Sequence, residues 1–197
     1  MVVSGILKRN ETHIDAREAS RDMRRCFLSL TITGLCLGRL HAQTAASSPA
    51  GFTAEAKQSY TMIRNNITKA AEKMPEENYS FKPSPDVRNF GQLISHIADA
   101  QIRFCSMVNG SPKQSDTASK TSKADLVAAL KDSFNECDKA YDSVTMSNAG
   151  EMVGGGRMQR SKLSMLWFNT SHDNEMYGTM AVYMRSKGLV PPSSEGR

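Results

Sequence analysis

Two histidines, His96 and His172, are the residues of this sequence whose type and placement favour metal chemistry. Each lies in a long amphipathic stretch, and two imidazoles that face each other across a helical bundle can bind a divalent metal ion. Met176 follows His172 by four residues, so the two side chains lie one above the other on the same helical face. A lone histidine on a helix is more often a hydrogen-bonded structural residue, and a methionine beside it more often fills the core. Spacing alone therefore does not establish a metal site.

The helical phase of each histidine can be read at 100° per residue. On the second predicted helix, His96 lies about 120° from the centre of the apolar face, so we expect it at a flank of the core, beside Leu93, Ala100 and Met107. The fourth helix shows two apolar faces, one with Trp167 and the other with His172 and Met176. We predict that Trp167, the only tryptophan, is a core residue whose replacement by alanine costs roughly 3–5 kcal/mol.

The elements that would carry these residues are helices. Apolar residues recur at three- and four-residue steps. Helix starts are indicated by Thr53 and Ser122, and helix ends by Asn109-Gly110 and Gly188. The predicted helices span residues 53–74, 89–108, 122–141 and 161–187. A proline-rich stretch, 75–86, predicts an extended connection, and the segment 145–160 around Gly154-Gly-Gly156 predicts a flexible loop, with no strand anywhere. The sequence thus predicts an all-α protein, an antiparallel four-helix bundle with a long connection between helices 1 and 2.

The N-terminal part has the pattern of a secretory signal. Arg24-Arg25 precede a 12-residue apolar run and small residues suited to cleavage, and the run is shorter than the roughly 20 residues of a membrane span. We interpret residues 1–22 as a misassigned extension, 23–43 as the signal peptide, 44–51 as a linker and 52–194 as the bundle domain. We therefore expect an exported protein, periplasmic or extracellular, without a stable membrane anchor. The other reading, a buried helix of the fold, fits the basic start of the segment less well.

Charge excludes one class of partner. Residues 1–43 carry 7 of the 25 basic and 4 of the 20 acidic residues, so the remainder has a net charge of only +2. Proteins that bind nucleic acid show a clustered basic face, which this chain lacks. We expect a small-molecule ligand or substrate instead, and the oligomeric state stays open, with a homodimer as one alternative.

Cys105 and Cys137 remain after removal of the signal. In an oxidising compartment they could form a disulfide between two helices, or they could be two separate buried thiols. The sequence does not decide between these alternatives.

Two segments resemble the DinB-like superfamily of damage-inducible proteins: Asn89-Phe-Gly-Gln-Leu-Ile-Ser-His-Ile-Ala-Asp99, and the stretch from His172-Asp-Asn-Glu-Met-Tyr-Gly to Pro191-Pro-Ser-Ser194. The resemblance covers Phe52 to Ser194 and implies a four-helix bundle that holds a divalent metal, zinc or nickel, through three histidines. It assigns the ligand positions to His96, His172 and Met176. The third position departs from the family, because a thioether is a poor ligand for zinc or nickel.

The resemblance implies a metal-dependent enzyme of the thiol S-transferase or hydrolase type, with a site weakened by Met176. Characterised relatives include thiol-dependent S-transferases and a maleylpyruvate isomerase. The alternative is a non-enzymatic bundle that binds a small molecule, in a pocket lined by methionines 107, 165, 176, 180 and 184. A third alternative, copper(I) held by two histidines and a methionine, matches the softness of that ligand set.

Overall fold

The computed structural model describes residues 51–196. Within this range the chain forms four α-helices: α1 (Gly51–Lys73), α2 (Phe90–Val108), α3 (Lys123–Ser143) and α4 (Lys162–Ser186). The predicted all-α four-helix bundle is confirmed. The predicted N-terminal extension, signal peptide and nearly all of the linker lie outside the described residues.

The helix ends follow from local hydrogen bonding. Asn89 and Gln92 form a capping box at the start of α2, in which each side chain accepts a hydrogen bond from the other residue's backbone N–H. Ser122 and Ser161 cap α3 and α4 through their hydroxyl oxygens, each of which accepts a hydrogen bond from the backbone N–H three residues later. Thr53 is not an N-cap as predicted, because α1 already begins at Gly51.

The four helices enclose one core, in which α1 packs against α3 and α4, and α2 packs against the same two helices. Tyr60 of α1 and Tyr141 of α3 stack with their ring centroids 3.9 Å apart. The Tyr60 hydroxyl donates to Asp138 over 2.8 Å, so the aromatic pair is anchored at its polar end. Among residues 51–196, no helix combines the length and apolar character needed to cross a bilayer.

Two connections differ from their predicted form. The long connection between α1 and α2 is not extended throughout: it contains a 3₁₀ turn at Glu76–Asn78, after which Tyr79 is buried and donates to the carbonyl of Ala71 over 2.6 Å. The segment before α4 contains a short antiparallel hairpin that pairs Met152–Val153 with Arg160–Ser161. Strands of two residues are too short to leave an alternating pattern in the sequence, which explains why no strand was predicted.

A disulfide joins Cys105 of α2 to Cys137 of α3, with the two Cα atoms 4.9 Å apart. Both residues are fully buried. Of the two alternatives that the sequence leaves open, the structure has the cross-link.

The predicted burial of Trp167 is wrong, since 41% of its surface is exposed. The buried face of α4 has polar residues at its middle: Asn169, Thr170 and Asp173 are 0%, 4% and 0% exposed. At 100° per residue Trp167 falls just beyond the edge of that face. Because apolar residues are spread around α4 while polar ones occupy its inner face, hydrophobicity was a poor guide to its orientation.

Candidate metal and ligand site

His96 and His172 meet between α2 and α4. Their Nε2 atoms lie 3.1 Å apart, and the two rings are steeply inclined, with an interplanar angle of 66°. The ring of Phe104 packs edge-on against His172 at a centroid distance of 6.1 Å. Both histidines are half-buried. The two predicted site residues from distant parts of the chain are thus in direct contact, and His96 lies at the flank of the core, as its helical phase indicated.

The helix starts determine where the two imidazoles lie. The capping box at Asn89 fixes the beginning of α2, and His96 follows two turns later. On α4, the hydroxyl of Ser161 accepts from the backbone of Ser164 and fixes the first turn, three turns before His172. These caps fix the position of each imidazole along its own helix. The packing of α2 against α4 then brings the two rings together.

Met176 lies one turn after His172 and is 8% exposed. It borders the same cleft as His96. Asp99, one turn after His96, is a carboxylate near the site, but the hydroxyl of Thr117 donates to it. Within residues 51–196, no three side chains of the His, Cys, Asp and Glu types are grouped so that they could hold a metal ion. The candidate metal ligands are therefore the imidazoles of His96 and His172 and the thioether of Met176.

Two clefts open beside the histidines. The first, of about 1120 Å³, is bordered by His96, Asp99, Met176 and Tyr183, with residues of the α1–α2 connection. The second, of about 760 Å³, is bordered by both histidines together with Ala100, Phe104 and Met107. The expected methionine lining is only partly present. Met107 and Met176 border the clefts, whereas methionines 165, 180 and 184 are fully buried in the core and border neither one.

A buried polar network lies directly behind His172. Oδ2 of Asp173 accepts hydrogen bonds from Gln101 and from Asn169, each over 3.2 Å, and the Ser133 hydroxyl donates to Gln101 over 2.6 Å. This network was not predicted from the sequence, where only His96, His172 and Met176 were considered as site residues. A glutamine inside the otherwise apolar face of α2, together with polar residues at helical spacing on α4, was the available signal.

The surroundings of His96 disfavour its protonated form. Burial lowers the pKa of His96, and the nearby Arg88 guanidinium and His172 lower it further. For Asp173, burial raises the pKa, and His172, Gln101 and Asn169 oppose that rise. A neutral imidazole has a free nitrogen lone pair, which is the form that binds a metal.

The distance between the histidines can be tested against metal geometry. Two imidazole nitrogens bound at about 2.1 Å to one tetrahedral zinc ion lie about 3.4 Å apart. The observed 3.1 Å separation of the Nε2 atoms is close to this value. The same distance also fits a hydrogen bond between two neutral imidazoles, one of which donates. The two histidines thus fit a metal ion as a pair, and Met176 adds a soft third donor at most.

The sequence profile of the DinB superfamily matches residues 59–180. No protein among those of curated function matches the chain.

Solved structures with the same fold include two DinB-like proteins. The one from Bacillus cereus ATCC 10987 superposes with a TM-score of 0.62 at 18% identity, over 71% of this chain and 95% of that one. The one from Bacillus subtilis has a TM-score of 0.59 at 20% identity, over 69% and 94%. An uncharacterised protein from Escherichia coli UTI89 has a TM-score of 0.54 at 13% identity, over 70% and 95%. At these identities the likeness shows the fold alone.

Proposed function

Because the chain belongs to the DinB superfamily, we propose that it binds a divalent metal ion, zinc or nickel, between His96 and His172 and presents it to a small molecule. The observation that supports this proposal most directly is the 3.1 Å separation of the two Nε2 atoms. Two imidazoles from different helices converge on one point at the border of two clefts.

Affinity in this site is modest. Two imidazoles leave a tetrahedral ion short of the three or four protein ligands that zinc sites have, and the thioether of Met176 is a weak third donor. A bound ion would supply Lewis acidity, lowering the pKa of a coordinated water or thiol. The chain itself contributes two imidazole donors, and the clefts contribute space for a ligand on either side of His96. This arrangement suits an S-transferase or a hydrolase.

The test is metal binding by single-site variants. Zinc and nickel affinities of chelator-treated protein would be measured by competition with a chromophoric chelator. His96→Ala and His172→Ala should each lower affinity by more than about tenfold, the smallest loss typical of even an outer-shell partner. Ser171→Ala, at the exposed position next to His172, is the matched control and should bind as the parent does. Unchanged affinity in both histidine variants would refute the proposal.

Met176→His tests the third position separately. If Met176 stands where the family places its last ligand, this substitution completes a three-histidine set and raises zinc and nickel affinity. Met176→Leu is its control, because leucine preserves the apolar volume without donating a lone pair. Equal affinities for Met176→His and Met176→Leu would show that position 176 does not reach the ion.

The second candidate function is a metal-free bundle that binds a small molecule. The observation that favours it is the second cleft, whose volume of about 760 Å³ and lining by Phe104, Met107 and Ala100 are typical of ligand pockets. The two histidines would then hydrogen-bond to each other. Binding of an apolar fluorescent dye in the presence of chelator, and its loss in Ala100→Trp, which fills the cleft, would support this function. A dye that binds only to metal-loaded protein would oppose it.

We propose in addition that the protein is exported. The Cys105–Cys137 disulfide supports an oxidising destination, because such bonds persist outside the reducing cytosol. N-terminal sequencing of protein from the native host should find cleavage near Ala42 to Ala46. Recovery of protein that begins at residue 1 or 23 would contradict export by cleavage.

A further inference from the structure

Three buried polar atoms of the candidate site and the network behind it have no hydrogen-bond partner: Oδ1 of Asn169, Nδ1 of His172 and Oδ1 of Asp173. The last two lie 3.9 Å from each other. Asp173 is completely buried, and its other oxygen, Oδ2, already accepts from Gln101 and Asn169. Buried polar atoms without partners are rare, because each carries an uncompensated loss of hydration. The simplest arrangement that satisfies both atoms is a hydrogen bond between them.

We propose that Asp173 is a positioning residue for His172, with Oδ1 accepting a hydrogen bond from the Nδ1–H of the imidazole. Closing the 3.9 Å gap requires a movement of about 1 Å, within the reach of small side-chain rotations. This inference deepens the proposed function, and its metal-binding consequence rests on that function. The hydrogen bond itself does not require a metal.

The surroundings of Asp173 are built to hold it still. Gln101 comes from α2 and Asn169 from α4, and both donate to the same oxygen. Ser133 of α3 donates to Gln101 in turn, so three helices fix the carboxylate. A carboxylate that orients the remote nitrogen of a metal-binding histidine is a frequent outer-shell device.

The hydrogen bond determines the tautomers of both histidines. With its proton on Nδ1, His172 has a lone pair on Nε2, which points at His96. In the absence of metal, the 3.1 Å contact between the Nε2 atoms then requires that His96 donates, so His96 carries its proton on Nε2. For His96 to bind a metal ion through Nε2, its proton would have to move from Nε2 to Nδ1, whereas the Nε2 of His172 would already have a free lone pair.

The amide donors around Oδ2 make one substitution especially informative. In Asp173→Asn, we expect the amide oxygen to take the position between Gln101 and Asn169, since the NH₂ groups of both residues donate to that position. The new NH₂ group is then directed at Nδ1 of His172 and donates to it. His172 would switch its proton to Nε2 and lose the lone pair that faces His96.

The experiment is long-range ¹H–¹⁵N correlation NMR of the metal-free protein labelled with ¹⁵N-histidine, with His96→Gln used for assignment. We expect Nδ1–H for His172 and Nε2–H for His96, and a switch of His172 to Nε2–H in Asp173→Asn. Zinc affinity in Asp173→Asn should fall by about 10–100-fold. Asn169→Ala is the matched control: it also removes a buried hydrogen bond of Asp173, but should leave the tautomer of His172 unchanged.

The outcomes separate the two proposals. Parent protein with His172 as Nε2–H, or an unchanged tautomer in folded Asp173→Asn, overturns the role of Asp173. If Asp173→Asn does not fold, the tautomers of the parent protein still decide. Parent protein with the expected tautomers but without zinc or nickel binding would support the Asp173–His172 pair and refute the metal proposal alone.

Discussion

Reduction of the Cys105–Cys137 disulfide should destabilise the bundle by an amount that depends on the number of residues between the two cysteines. The cross-linked residues are 32 positions apart, and a loop of this length loses conformational entropy in the unfolded chain equivalent to about 3.7 kcal/mol at 25 °C. With a urea m-value of about 2 kcal/mol/M, the unfolding midpoint should fall by about 2 M. Thermal unfolding should shift down by about 10 °C, since a domain of this size loses about 2–4 °C per kcal/mol.

The measurement is urea unfolding followed by far-UV circular dichroism, with and without reductant. Cys105→Ala/Cys137→Ala is the control for unspecific effects of the reductant, because it has no bond to reduce and its midpoint should not respond. Its own midpoint should lie near that of the reduced parent, slightly lowered by the lost packing of two buried sulfur atoms. An equal midpoint for oxidised and reduced parent would refute the entropic argument.

Three further substitutions have expected outcomes in the same unfolding assay. Trp167→Ala should cost only about 0.5 kcal/mol, because the indole is 41% exposed, and a loss above 3 kcal/mol would restore the core assignment. Asn89→Ala removes the capping box of α2 and should cost about 1 kcal/mol, while an unchanged midpoint would mean that the cap contributes nothing. The pKa of Glu136 lies below its usual 4.5, mainly because Lys113 hydrogen-bonds to the carboxylate. Glu136→Gln should therefore destabilise the protein at pH 7, with a difference that is complete above pH 4.5 and disappears as the pH falls through the folded-state pKa. A difference that persists at pH 2 would contradict this linkage.

The helices could be predicted because their ends carry local chemistry. Ser122 and Ser161 are capping residues, and Gly110 and Gly188 take positive φ angles of 76° and 72° just after the helices that they end. These signals act within a few residues of the chain and do not depend on tertiary packing. The 3₁₀ turn is three residues long and each strand of the hairpin is two residues long. Elements this short lack comparable signals.

The candidate site was predictable in part. The meeting of His96 and His172 was expected from the bundle and from the family resemblance, and the structure brings the two rings together. The orientation of α4 was not predictable, because Asn169 and Asp173 occupy its buried face through hydrogen bonds that only the tertiary fold reveals. Hydrophobic patterning assumes that polar residues face water, and this assumption fails where a polar network is enclosed.

The distribution of aromatic side chains decides how the folding of this protein can be observed. All five tyrosines are buried, with no more than 7% of any one exposed, and Tyr60 and Tyr141 are stacked. The single tryptophan lies at the surface instead. Near-ultraviolet circular dichroism from the tyrosines would report the packing of the core, and it would vanish when that packing is lost. The tryptophan ring is exposed to solvent in both the folded and the unfolded state. Its emission alone would therefore change little when the whole protein unfolds.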